Sequence, residues 1–346
     1  MKKVIKQVLG IDVAQKELVV CLGRMQEGLV IERYARKTFA NTAKGFDAME
    51  QWVNKLADNT LPVSYVMEAT GVYHEPLAYF LRGCGKDVSI VMPNKISNYM
   101  RTLEIKTVTD KTCADAIARF GLERSLEKWE KPSPVYKKIR QLTRERDQLV
   151  QERTMLKNQL HAEQAEAEPS KTAVKRLNQR IALLDKQEEE ITSEIATLVK
   201  SDEETALLVK FLCSIPGVSA LTAAIVLGET SGFDLVRNKK QLTSYAGLDV
   251  KEKESGTSVK AKPRISKKGN SFLRKAMHMP ALSAIRCDER FKAFYIRLVA
   301  KHGIKMKAVV AVQRKLLEMM YTVYKTRLVY DKDFLEKQAS KTKKAA

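Results

Sequence analysis

Four carboxylates in the first third of the chain stand where carboxylates can act together: Asp12, Glu68, Asp110 and Asp115. Asp12 closes an apolar run that starts at Val4, and Glu68 closes a second run that starts at Val63. A carboxylate at the end of a central strand is held rigidly. That suits Mg²⁺, which needs oxygen ligands fixed near octahedral geometry. Taken alone, Asp12 could equally cap the turn at Val13-Ala14-Gln15; its company is what argues for a metal. A different chemistry is suggested much later, at Ser255. This hydroxyl lies in a stretch with seven basic residues between Lys251 and Lys268, interleaved with small hydroxyl residues and poor in large apolar ones. Such a stretch cannot pack as a core. Its basic side chains and exposed amides suit a nucleic-acid backbone, with Lys260, Lys262, Arg264, Lys267 and Lys268 as candidate phosphate contacts. By residue type alone, Ser255 is one hydroxyl among several, with Ser258 and Ser266 as rivals.

Several elements must position these groups. Short β-branched runs bounded by turn residues predict strands at residues 4–12, 17–22, 29–39, 63–68 and 86–92. Helices are expected at 42–56, with Phe46, Met49, Val53 and Leu56 on one face, at 75–82, and at 110–122. Three strands, a helix, then alternating strand and helix is the order of a ribonuclease-H-like α/β domain. In that fold the first and fourth strands are neighbours, so Asp12 and Glu68 face each other and the late helix brings its first turn to both. Such a cluster repels itself unless cations neutralise it. Two Mg²⁺ about 4 Å apart are the natural filling, and two metals can serve phosphodiester displacement.

From Pro132 to about Lys200 charged residues and Gln dominate and Gly is absent. Ile139, Leu142, Leu149, Leu156 and Leu160 fall on a 3–4 repeat broken at Arg146 and Arg153. Val174, Leu177, Ile181, Leu184, Ile191, Ile195 and Leu198 resume it beyond Pro169. Two helices joined there read as an antiparallel coiled-coil hairpin, either a dimerisation arm or a solvated spacer. Residues 211–227 read as helix, Pro-Gly turn, helix, which is a helix-hairpin-helix signature. Gly217 in that turn could offer its backbone to a phosphate, with the second helix adding its dipole. The rest reads as helical, with apolar stripes at Phe291, Phe294, Tyr295, Leu298 and at Val309, Val312, Leu316, Met319, Met320. The expected division is therefore 1–130, a ribonuclease-H-like α/β domain; 131–202, a coiled-coil hairpin; 203–330, a mainly helical domain with the serine loop; and 331–346, a polar basic tail expected to be disordered.

Composition limits the partner. The 346 residues carry a formal net charge of +21 with 44% hydrophobic residues. That charge argues for a polyanion, most simply nucleic acid, over a small metabolite. No long apolar span or signal peptide appears, so a membrane partner is not expected. Five scattered cysteines without CxxC spacing and four dispersed histidines argue against zinc and fit a reduced cytoplasm.

The motifs Gly10-Ile11-Asp12-Val13, Met67-Glu68-Ala69-Thr70-Gly71 and Thr109-Asp110-Lys111 resemble the first three acidic positions of the DEDD transposases of bacterial insertion sequences. That family has a RuvC-like N-terminal domain and includes the Piv-type DNA invertases. The fourth position departs. The family places its last Asp three residues after the third, where this chain has Cys113; the nearest acid is Asp115. A step of five residues turns about 140° around a helix, so Asp110 and Asp115 share a face poorly. Either the helix begins later and Asp115 completes the set, or the site has three carboxylates. In the second half Tyr245-Ala246-Gly247-Leu248, Ser255-Gly256, Arg264-Ile265-Ser266-Lys267 and Gly269-Asn270 before Leu273-Arg274 match the family in order. The resemblance implies that Ser255 is the nucleophile joined to DNA, with Gly256 letting the backbone approach the phosphate. It also implies a DNA transposase or recombinase, a structured bridge RNA pairing with donor and target DNA, and a dimer or tetramer. The two halves would then have to fold together or pair between subunits. Two rivals stay open: a metal-only nuclease of Holliday-junction type, and a non-catalytic nucleic-acid-binding protein, which the Cys113 departure favours.

Overall fold

A computed structural model describes residues 3–69, 71–103, 105, 107–252, 254–255, 259–260 and 264–331, with backbone alone at 254, 255, 259 and 260. The chain forms two compact units, residues 1–131 and 132–346.

The first unit runs β1 (Val4–Val13), β2 (Glu17–Gln26), β3 (Val30–Ala40), α1 (Ala43–Leu56), β4 (Val63–Glu68), α2 (Glu75–Gly83), β5 (Asp87–Val91), α3 (Pro93–Thr102) and α4 (Asp110–Glu123). The sheet order is β3-β2-β1-β4-β5. β1 to β3 pair antiparallel, while β4 is parallel to β1 and β5 to β4. This is the ribonuclease-H-like arrangement. The middle strands are apolar on both sides because both faces are covered. Leu9, Ile11, Leu18 and Leu22 face α1 and α2, where Phe46, Met49, Val53, Leu77 and Leu81 meet them. Val8 and Val66 face α3 and α4, with Ile96, Ile117 and Phe120. Helix α3 was not among the helices expected from the sequence; Pro93 occupies its first turn, where a missing N–H costs no hydrogen bond.

Side chains alternate along a strand, so Val8, Gly10 and Asp12 share one face of β1, and Val66 and Glu68 share that face of β4. Helix α4 lies directly on it. A Cβ at Gly10 would sit 2.2 Å from the backbone nitrogen of Ala118 and 2.5 Å from the carbonyl oxygen of Ala114. One at Gly121 would sit 2.8 Å from methyls of Val8 and Val66. The helix is fixed at both ends. Thr109 and Thr112 form a reciprocal capping box at its start. Lys6 Nζ donates to the carbonyls of Gly121 at 2.6 Å and Arg124 at 2.7 Å at its finish.

The second unit begins with α5 (Pro134–Gln164) and α6 (Lys171–Ser201), an antiparallel hairpin. Then come α7 (Glu203–Cys213), α8 (Ala220–Thr230), α9 (Lys239–Tyr245), β6 (Val250–Lys251), β7 (Glu254–Ser255), β8 (Val259–Lys260), β9 (Arg264–Ile265), α10 (Ser271–Ala276), α11 (His278–Cys287), α12 (Glu289–His302) and α13 (Lys305–Thr326). The root of the hairpin (Ile139, Leu142, Ile191, Ile195, Val199) belongs to the same core as α8 and α13. Its distal half keeps a separate small seam of Leu156, Ile181 and Leu184. Arg146 and Arg153, which break the apolar repeat, reach across to Glu188 of α6, and Arg153 also bonds Asp185 at 2.7 Å. Gly217 has a positive φ of 85°, and a Cβ there would lie 2.4 Å from the Pro280 carbonyl oxygen. Packing of the α7–α8 turn on α11 therefore requires glycine at this position. The stretch around Ser255 is not an open loop: β6 pairs with β9, and β7 with β8, so Ser255 stands opposite Val259 in a small hairpin.

The Gly10 contact generates a stability prediction. Gly10→Ala should lower unfolding free energy by about 3 kcal/mol in urea melts, because the added methyl meets main chain that cannot rotate away. Gly83→Ala, at a position where a Cβ would meet nothing, should leave the urea midpoint nearly unchanged.

Candidate active site

The sheet and α4 gather the acidic residues by register. Ile11 pairs with Met67 in the parallel β1–β4 ladder, which sets Asp12 beside Glu68 at the ends of two central strands. The capping box starts α4 at Asp110 itself, so Asp110 lies in the helix's first turn. Burial, together with the charges of Asp110 and Glu68, pushes the Asp12 carboxyl up to about 6, against one backbone hydrogen bond from Val13 that favours the charged form. Burial also raises Glu68. Among the described residues, no cation contributes to either shift, and the charges of Asp110 and Glu68 both act on Asp12.

Asp115 is placed elsewhere. Arg36 donates to it twice, from Nε at 2.6 Å and from Nη2 at 2.7 Å, and Arg33 adds a contact at 3.4 Å. Burial alone would raise its pKa. The bonds from Arg36 and Cys21, with the charges of Arg36 and Arg33, outweigh burial and hold the carboxyl below its ordinary value. The five-residue step is the reason: Asp115 turns toward β2 and β3. Its charge is not among those acting on Asp12.

Cys113, one turn after Asp110, is the residue that faces the cluster. Burial first, then the charges of Asp12, Glu68 and Asp110, push its thiol up to about 11. It packs against the apolar cluster to which Val66, Ile96 and Ile117 belong. The spacing of three from Asp110 signals this position; what hides it is that a thiol replaces the expected acid.

Hard oxygen donors that repel one another suit a divalent cation. Among the described residues, no three His, Cys, Asp or Glu side chains are close enough to form a metal-holding group. The carboxylates are therefore neighbours in an acidic patch, not a closed coordination shell.

In the second unit Arg264, Lys267 and Lys268 are exposed at the base of the serine hairpin. Ser266 is engaged, donating to Asp249 Oδ1 at 2.5 Å. Gly256, Lys262 and Ser258 lie outside the described residues, as do the side chains of Ser255 and Lys260 and the tail from residue 332.

The raised Asp12 carboxyl has a consequence for stability. A carboxylate whose folded pKa lies above its unfolded value destabilises the fold increasingly as pH rises between the two values, and fully above about pH 6. Asp12→Asn should therefore raise the metal-free melting temperature at pH 7.5. The gain should shrink as pH falls below 6 and vanish below about 4, where Asp12 is protonated in both states. Thermal melts across pH 4–8 check this.

Two transposase families match the chain. The first is of the DEDD IS110 type, over residues 9–164. The second is the transposase IS116/IS110/IS902 family, over residues 209–296. The chain is 29% identical over 335 residues to the pilin gene-inverting proteins of Moraxella lacunata and Moraxella bovis, covering 94% of this chain and 98% of each relative. It is 28% identical over 120 residues to an uncharacterized 43.6 kDa protein of insertion element IS110 from Streptomyces coelicolor, covering 35% of this chain and 29% of that protein. Among solved structures, T. thermophilus RuvC in complex with Holliday junction substrate covers 36% of this chain and 99% of its own, with a TM-score of 0.28 and 9% identity. With both halves matched, over residues 9–164 and 209–296, the chain belongs to the IS110 family of DEDD transposases.

Proposed function

We propose that this transposase cuts and rejoins the ends of its insertion element through a serine nucleophile and a cation-holding acidic site. The observation that carries the reading is the cluster of Asp12, Glu68 and Asp110 at the ends of two central strands and the start of one helix, in which the charges of Glu68 and Asp110 act on Asp12. These three residues would hold the cation, which we take to be Mg²⁺, as two ions. When bound, it would neutralise charge on a scissile phosphate and activate an oxygen. Asp115 is left out of this set because Arg36 holds it.

Ser255 is proposed to attack the DNA phosphodiester. Its Oγ forms a new ester to phosphorus, the strand oxygen leaves with a proton, and the phosphoserine keeps the ester for rejoining. A neutral serine is a weak nucleophile and needs its proton removed and its phosphate neutralised. The exposed cations Arg264, Lys267 and Lys268 at the base of the hairpin suit the second task, and we assign phosphate contacts to them together with Lys260, Lys262, Gly256 and Gly217. A structured guide RNA and a dimer or tetramer complete the proposal. Both rest on the family resemblance, and the +21 charge accommodates RNA as well as DNA.

The test is cleavage of supercoiled DNA carrying the element's ends, with its flanking RNA and Mg²⁺, run with and without protease. Wild type should give a protein–DNA adduct that is absent from Ser255→Ala. Equal cutting by the variant, with no adduct in either, would replace the serine mechanism with a metal-only nuclease.

A further inference from the structure

Glu229 is the most deeply buried carboxylate among the described residues of the helical unit, at 1% exposure, and it lies in the mainly apolar helix α8. A charge at that depth must be paired and hydrogen-bonded. Arg144 of α5 meets it as a fork, Nε to Oε1 at 2.7 Å and Nη2 to Oε2 at 2.8 Å. The Asn270 side-chain amide donates to Oε2 at 2.6 Å. Asn270 is also the cap of α10, its Oδ1 accepting from the Leu273 N–H at 2.9 Å. Its own N–H bonds the Tyr245 carbonyl at 2.7 Å, and the Tyr245 hydroxyl donates to the Glu229 carbonyl at 3.1 Å.

This knot sits where the serine hairpin rejoins the core. Just before it, the Ser266 N–H bonds the Asp249 carbonyl at 2.9 Å and the Lys267 N–H bonds the Gly247 carbonyl at 3.1 Å. The strands β6 and β9, which flank β7 and β8 in sequence, are thus tied together. On the far side, α5 grips α10 twice more: the Arg144 guanidinium lies 4.6 Å from the centre of the Phe272 ring, and Lys275 pairs with Asp147.

We propose that Glu229 is a positioning residue for the serine hairpin, fixing its base through Asn270 and tying it to the root of the coiled-coil helix through Arg144. The inference rests on Ser255 acting as the nucleophile, but its first readout does not. Arg144 satisfies the buried charge, and Asn270 converts that fixed charge into a fixed exit for the arm. A rigid base holds a reacting oxygen in place far better than a free loop does. Without the Asn270 link the arm would open locally while the apolar core beneath stayed intact.

The experiment is a swap at 229 and 270 in the full-length protein. Asn270→Asp keeps the cap acceptor but sets a carboxylate against Glu229. The double variant with Glu229→Gln moves the single carboxylate to 270 and restores a donor at 229. Amide exchange of Ser266, Lys267 and Asn270 should quicken about tenfold or more in the single variant, the scale of a lost hydrogen bond to a charged group. It should return to within about threefold of wild type in the double. Adduct formation should fall and recover in parallel, with DNA binding unchanged throughout. Unchanged exchange in Asn270→Asp, failure of the double to recover, or an equal loss of DNA binding would overturn the proposal. Should Asn270→Asp not fold, Asn270→Ser keeps a cap acceptor and removes the donor, and it must show the same faster exchange for the proposal to stand. An adduct that survives Ser255→Ala would refute the nucleophile while the exchange rates still judge Glu229.

Discussion

The acidic site depends on one contact between backbones. Helix α4 can bring Asp110 and Cys113 to the strand ends only because it rests on Gly10 with no side chain between them. The small residues Ala114 and Ala118 on the helix side complete the approach, and Gly121 repeats it one strand over, against Val8 and Val66. Any larger residue at Gly10 would lift the helix from the sheet and take its first turn away from Asp12. The capping box and the Lys6 contacts then fix where along the sheet the helix starts and stops. Close packing thus sets the electrostatics. The same approach that brings the acidic groups together removes them from water, and both effects raise Asp12.

The helical unit solves a similar positioning problem with a buried charge. Removing one partner of such a pair costs about 3–5 kcal/mol, because the other is left uncompensated. Glu229 and its partners therefore hold one geometry firmly, at the junction of α5, α8 and the base of the serine hairpin. Arg146 and Arg153 play a related part higher on the coiled coil. They replace apolar seam residues with ion pairs to α6, which fixes the register of the two helices at some cost in apolar packing.

Much of this was legible in the sequence where the signal is local. The order of strands and helices, the carboxylates ending β1 and β4, and the Thr109-Asp110 start of α4 all follow from patterns within a few residues. The three-residue step to Cys113 was legible too, although it read as a departure and not as a residue facing the site. What escaped depends on distant partners. Asp115 is claimed by Arg36, 79 positions away on an outer strand. Glu229 is held by Arg144, 85 positions away, and by Asn270, 41 positions away. Helix α3 escaped although its signal is local, since proline suits the first turn of a helix and Pro93 stands there. Gly217 fits the helix-hairpin-helix pattern, and its close packing on α11, a second reason for glycine there, depends on distant partners.

The central claim is that Asp12, Glu68 and Asp110 form the cation site and that Asp115 does not belong to it. Binding of Mn²⁺, a paramagnetic substitute for Mg²⁺, followed by electron paramagnetic resonance on the DNA-free protein, tests this most directly. Asp12→Asn, Glu68→Gln and Asp110→Asn should each weaken binding at least about tenfold, the scale of one lost carboxylate contact to a cation. Asp115→Asn should bind as wild type does. Loss of Mn²⁺ binding in Asp115→Asn, with Asp110→Asn unaffected, would contradict the account.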